Sequence, residues 1–272
     1  VVVDVNAEPL FSQARFESLL GTSWAGRELH YLATVGSTMD VARGLAGDGA
    51  RHGAVVLADE QRQGRGRLGR QWLSPRGVNL YFSIILRPTV DRLRALAMIA
   101  PLAIVDGLRQ ATGLACTLKW PNDVQFEARK LGGVLIESEL AGDEPALAIV
   151  GAGINVNYDP SHESEISAIA TSVMKETGTA QERELVLAET LNAFEDWYEA
   201  PVAAVQGAWR SRLTTLGQQV RVSFPSRVEE GLTTVEEGLA EDVTAHGSLV
   251  LRRADGSSVT LPAGEVSLRQ EA

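Results

Sequence analysis

The chain has 272 residues, 44% of them hydrophobic and 22% charged, with a formal net charge of −10. That length suffices for one large domain plus a small one, and no apolar run approaches the roughly 20 residues needed to cross a bilayer. The opening VVVDVNAEPL is too short and too acidic for a secretory leader, and the acidic balance argues against general affinity for nucleic-acid backbones, which comes from clustered Lys and Arg, with one basic loop as a local exception. A cytoplasmic enzyme is expected, with neither membrane nor nucleic acid as partner. Cys116 is the only cysteine, so no internal disulfide or Cys-rich zinc site can form, and His30, His52, His162 and His246 are too scattered to be a metal set.

In chain order, GSTMD places Ser37 ahead of a short helix, either as a simple N-cap or, with Asp40 three residues on, as a capping box. AVVLADEQ (54–61) reads as a strand. QGRGRLGRQW follows, a literal G-x-G-x-x-G at Gly64, Gly66 and Gly69 carrying Arg65, Arg67 and Arg70. A dinucleotide cradle needs a helix opening at the third glycine. Here Pro75 and Gly77 intervene and the next run, LYFSIIL, is another strand, so the stretch reads as a loop between strands. It occurs once, outside any low-complexity sequence, which argues against an RNA-binding arm. Forked, permanently charged donors on a glycine-rich backbone suit a small anionic ligand.

Residues 91–111 read as an apolar helix interrupted by Pro101. TLKWPND is a strand end breaking into a turn, followed by two more strands, KLGGVLIESEL and ALAIVGAGINVN. A hairpin could bring Lys130 close to Asp123, while Lys119 with Asp123 could be only a surface ion pair and Lys130 a strand-edge charge. Gly151 and Gly153 mark a place where a side chain would obstruct a ligand or a packed neighbour. ERELVLAETLNAFEDWYEA returns to helical spacing, and beyond Thr215 short β runs with turns at His246-Gly247 and Asp255-Gly256 read as a separate barrel of ~55 residues. The layout is α+β, and no Walker, G-x-S-x-G or H-E-x-x-H signature is present.

Taken together, GSTMD, EQRQGRGRLGRQWLSP, KWPND, RKLGGVLIE, VGAGINVN, ATSV and GEVSLR resemble, in order and spacing from Leu10 onward, the bacterial biotin protein ligases, also called biotin–[acetyl-CoA-carboxylase] ligases. The resemblance implies a mixed-sheet catalytic domain of the biotin/lipoate ligase type over residues 1–214 and a small SH3-like β-barrel over 215–272. It implies that biotin and ATP give biotinyl-5′-AMP with Mg²⁺, and that biotin then passes to a lysine of a carboxylase biotin carrier domain. Arg67, Lys130 and Asp123 would carry the chemistry. Ser37, Thr38, Gln61, Gly64, Arg65, Gly66, Gly151 and Gly153 would hold biotin together with Arg67 and Lys130. Arg70, Trp72, Asn122 and Asn155 would join Arg67, Asp123 and Lys130 on the ATP side, with the arginine loop closing as a lid. Two positions depart from the family pattern: Met39 stands where Asn is usual, leaving only backbone contact with biotin there, and Gln63 precedes the loop where a small residue is usual.

Many family members carry an N-terminal winged helix. Only 36 residues precede Ser37 here, against the ~60 a winged helix needs, so a monofunctional ligase is expected, with a homodimer allowed. A lipoate-type ligase and a biotin-sensing DNA-binding repressor are the competing readings. The arginine-rich loop and GEVSLR disfavour the first, and the short N-terminus and acidic charge the second.

Overall fold

A computed structural model describes residues 10–141, 144–160, 163, 166–225, 233–262 and 264–268. His162 and the Arg269 that completes GEVSLR lie outside the described residues. A seven-stranded mixed sheet has the order β1 (Leu29–Val35), β2 (Val55–Gln61), β3 (Leu80–Leu86), β7 (Glu144–Ile154), β6 (Arg129–Ala141), β5 (Asp123–Phe126) and β4 (Thr117–Lys119). Only β1 and β2 run parallel, joined by a crossover through α2 (Thr38–Gly47); the other neighbours are antiparallel.

Both faces of the sheet are covered over β3, all seven residues of which are buried, which is why that strand reads as an almost wholly apolar run. Leu80, Phe82, Ile84 and Leu86 of β3 face the main core under α3 (Val90–Thr112) and α5 (Arg183–Glu199), whereas Ile85 turns to a smaller cluster with Met39 and Ala42 of α2. The remaining helices, α1 (Gln13–Leu19), α4 (Val173–Thr177) and α6 (Val202–Ser211), are short.

The break expected at Pro101 does not occur, because α3 runs unbroken through it for 23 residues. An interior proline costs about 3 kcal/mol, but Leu96, Ile99, Leu102, Ile104 and Leu108 are all buried around it. Each contributes about 1.5–3 kcal/mol on burial, so packing outweighs the lost hydrogen bond. Thr89 caps the start, accepting from Arg92 N, and Gly113, at φ 77°, ends the helix.

The C-terminal strands form a five-stranded antiparallel sheet in the order β11 (Ser258–Leu261), β10 (Leu249–Arg252), β9 (Thr233–Val243), β8 (Gln219–Pro225), β12 (Glu265–Leu268). Its turns fall at Gly247 (φ 79°) and Gly256 (φ 83°), as the sequence indicates. Its inward residues Val220, Val222, Ala240, Leu249 and Leu251 belong to the same continuous core as the large sheet. Trp120, 1% exposed, sits at the junction with its indole Nε1 donating to Gly247 O at 2.8 Å.

Cys116 lies in this core, where burial and then the nearby Glu176 push its thiol up to about 12. The thiolate is the reactive form, so folded protein at pH 8 is expected to resist iodoacetamide and to be labelled once urea unfolds it. Rapid labelling of the native chain, followed by mass spectrometry, would contradict this packing.

Candidate active site

A cavity opens where the N-terminus of α2, the arginine loop, the β4–β5 turn and the β6–β7 floor converge. Its floor is glycine because bulk stands directly above. A Cβ on Gly153 would lie 2.5 Å from the Trp72 indole, and one on Gly151 would lie 2.7 Å from Met39 Sδ. Trp72 and Met39 both line the cavity, so these glycines let two cavity side chains lie against the strand.

The polar wall is a relay anchored on the buried start of α2. Ser37 accepts from Met39 N at 3.3 Å as a simple N-cap. Asp40 does not complete a capping box, since its carboxylate is taken by Arg65. Thr38 donates through N and Oγ1 to Gln61 Oε1 at 2.9 and 3.1 Å, and Ser83 Oγ donates to Thr38 Oγ1 at 2.8 Å. Gln61 Nε2 donates to Ser74 Oγ at 3.1 Å, which donates to Trp72 O. Strand floor, helix start and loop base are thus joined by side-chain hydrogen bonds.

The arginine stretch is a small hairpin whose neck closes at Trp72 N to Gly64 O (2.9 Å) and Gly66 N to Arg70 O (2.7 Å). A Cβ on Gly64 would collide with Trp72 O. Gly64 therefore shapes the neck and does not itself line the cavity, whereas Gly66 does. The tip, Arg67–Gly69, is one 3-10 turn with Leu68 at φ 56°. No helix opens at Gly69, so the loop is not a dinucleotide turn.

Opposite lies the β5–β6 hairpin, turning through Glu127 and Ala128 at φ 46° and 64°. It brings Lys130 Nζ to 2.6 Å from Asp123 Oδ1, with the Trp72 ring centroid 5.3 Å from the same ammonium. The ion pair is therefore Lys130–Asp123. Lys119 makes no ion pair among the described residues, although it lines the cavity. Asn122 links the two sides: its Nδ2 donates to Val134 O at 2.6 Å and its Oδ1 accepts from Arg67 Nη1 at 3.1 Å. Among the described residues, Arg65, Arg67, Arg70, Lys119 and Lys130 line the cavity against one carboxylate, that of Asp123. A chain of net charge −10 thus builds a locally positive cleft, which focuses anions.

Asn155 is not brought to the cavity. Beyond the end of β7 it turns inward, 9% exposed, and its side-chain Nδ2 donates to Thr171 O at 3.0 Å while its backbone carbonyl accepts from Val173 N. Conversely, Gly264 and Val266 of the small sheet line the cavity, as does Trp120. The sequence signals only that GEVSLR matters, without placing it.

A mixed sheet bearing a cationic hairpin over a lysine–carboxylate pair defines an enzyme-type site for an anionic ligand, and comparison with known proteins specifies it further. Residues 31–155 match the biotin/lipoate A/B protein ligase family and residues 215–269 the biotin protein ligase C terminal domain. The chain is 35% identical over 246 residues to the biotin–[acetyl-CoA-carboxylase] ligase of Paracoccus denitrificans, covering 86% of this chain and 96% of that protein. It is 34% identical over 217 residues to the bifunctional ligase/repressor BirA of Bacillus subtilis, covering 77% of this chain and 66% of that longer protein. Its fold matches the Aquifex aeolicus biotin protein ligase solved with biotin and ATP, with a TM-score of 0.74, 30% identity, and coverage of 90% of this chain and all of that one. The chain belongs to the biotin/lipoate A/B protein ligase family, on its biotin protein ligase branch.

Proposed function

We propose that this protein activates biotin with ATP and transfers it to a lysine of a carboxylase biotin carrier domain, acting in the cytoplasm. The observation that carries the reading is the cleft itself, where among the described residues Arg65, Arg67, Arg70, Lys119 and Lys130 line the cavity with Asp123, which Lys130 pairs. In the first step a biotin carboxylate oxygen attacks the α-phosphorus of ATP, the bond to the bridging oxygen breaks, and pyrophosphate leaves with biotinyl-5′-AMP remaining. In the second, the carrier's lysine amine attacks the acyl carbon, loses a proton, and AMP departs.

Two anions must meet in the first step, so fixed cations have to offset their repulsion and the charge developing in transit. Arg67 and Lys130 are assigned that work, with Arg70, Trp72 and Asn122 on the nucleotide side. Ser37, Thr38 and Gln61, the backbone at Met39 and Gly66, and the Gly151–Gly153 floor would hold biotin. Asp123 is the only carboxylate lining the cavity among the described residues, a donor set that fits a Mg²⁺ ion held mainly by nucleotide phosphates. When bound, that ion would supply further charge neutralisation. Residues 1–214 would form the catalytic unit and 215–272 the small β unit that closes one wall.

The test is pyrophosphate release from ATP with biotin, lipoate or neither, followed by mass analysis of an added carrier domain. Release is expected only with biotin, and one biotin is expected on the carrier lysine. Equal or faster release with lipoate would overturn the assignment.

A further inference from the structure

Arg65 and Arg67 stand two residues apart in one loop, yet they reach opposite banks of the cavity. Arg67 bonds Asn122 on the β4–β5 side. Arg65 Nη1 donates to both carboxylate oxygens of Asp40 on α2, at 2.7 and 2.9 Å, and its Nη2 lies 3.6 Å from Glu137 Oε1 on β6. Arg43, three residues along α2, stands 3.6 Å from Asp40 and 3.2 Å from Glu139 and also bonds Glu137. Asp40 itself does not line the cavity.

We propose that Asp40, backed by Glu137 and Arg43, is a latch that holds the arginine loop over the cavity, so that retention of the activated intermediate depends on a carboxylate that never touches it. The kinetic half of this statement rests on the adenylate-forming reading above; the closure half rests on geometry alone. Asp40 is a positioning residue. The Arg65 and Asp40 side chains are 36% and 50% exposed, and such ion pairs are individually weak and salt-screened. That weakness suits a latch, which must bias the closed loop several-fold yet open in every cycle. It also separates the two arginines: Arg65 anchors the loop and leaves Arg67 to face the ligand.

Two measurements test the latch: tryptic cleavage after Arg67 and Arg70 in the ligand-free protein, and the release rate of preformed biotinyl-AMP in a chase. Asp40→Asn is expected to raise both by about two- to fivefold, with the urea midpoint unchanged and the difference lost in about 1 M salt. Asp40→Glu should restore parental behaviour, and Glu139→Gln, which removes a partner of Arg43 but not of Arg65, should leave both rates unchanged. The Asp40→Asn/Arg65→Gln double variant should be no faster than Arg65→Gln alone, as coupled partners require. Unchanged cleavage in Asp40→Asn, or effects of the two substitutions that simply add, would overturn the latch. If the parent makes no adenylate, the proposed activity fails by itself and the cleavage rates alone decide the latch.

Discussion

Lys130→Ala is expected to slow biotin-dependent pyrophosphate release by about 10²–10³-fold, the range found when a single preorganised charge stabiliser is removed from an active site. The ammonium is fixed from two sides, by Asp123 at 2.6 Å and by the Trp72 ring. Its strand is also held in register by the neighbouring segment, since Lys130 N donates to Ile169 O at 2.7 Å and Lys130 O accepts from Thr171 N. The charge is thus positioned before any ligand arrives and needs no reorganisation during reaction. Removing it also leaves Asp123 uncompensated beside the incoming phosphates, which converts an attraction into a repulsion. Lys130→Arg keeps the charge but replaces a point cation by a planar fork, and should recover only part of the rate. Single-turnover adenylate formation is the measurement. A loss confined to transfer onto the carrier, with adenylate formation intact, would remove Lys130 from the first step.

The largest stability effect should come from a group outside the cleft. Arg183→Ala is expected to lower the unfolding free energy by about 3–5 kcal/mol, as breaking a buried ion pair does, which corresponds to roughly 10 °C in Tm. Asp59 is fully buried and Arg183 only 4% exposed. Both guanidinium Nη atoms lie 3.0 Å from Asp59 Oδ1; Nη1 also donates to Asn79 O at 3.1 Å and Nη2 to Leu10 O at 2.5 Å. Tyr31 donates to the other Asp59 oxygen, and burial followed by that carboxylate pushes its phenol up to about 12. One guanidinium therefore ties α5 to β2, to the Asn79 backbone just before β3 and to the segment entering α1. Asp59→Asn combined with Arg183→Met removes both charges and should cost less than the two single losses added together. Urea unfolding of the four proteins measures the coupling, and simple additivity would contradict a direct pair.

What the sequence makes legible follows from pattern and locality. LYFSIIL is an almost wholly apolar run because all seven residues of β3 are buried, and the motif residues from Lys119 to Lys130 fall on three consecutive antiparallel strands, β4, β5 and β6. β1 is harder to read. As an edge strand, with five of its seven residues only half-buried, it shows no clean alternation, and its parallel pairing with β2 depends on a crossover helix. Pro101 misleads because local propensity says nothing of the packing that overrides it. Asn155, placed on the nucleotide side by the resemblance, has a side-chain amide that donates to Thr171 O, a partner that the sequence does not indicate. The Asp59–Arg183 pair spans 124 residues, and the direction of Arg65 depends on a helix and a strand distant in sequence. Neither leaves a short-range signature.

Trp120 gives the small C-terminal sheet a meaning beyond its size. Its indole is held by Gly247 of that sheet, its backbone N–H donates to Thr215 Oγ1 at 2.9 Å, and its neighbours Lys119, Pro121 and Asn122 line the cleft beside Gly264 and Val266. The side chains inside the small sheet are also continuous with those under α3. The two sheets are therefore not separable modules in the thermodynamic sense. Detaching the smaller one would strip the Trp120 indole of its hydrogen bond to Gly247, expose core on both pieces and unseat the strand end that presents Asn122 to Arg67. The C-terminal strands thus hold one wall of the cleft as well as part of the core, and the cleft's shape depends on both sheets at once.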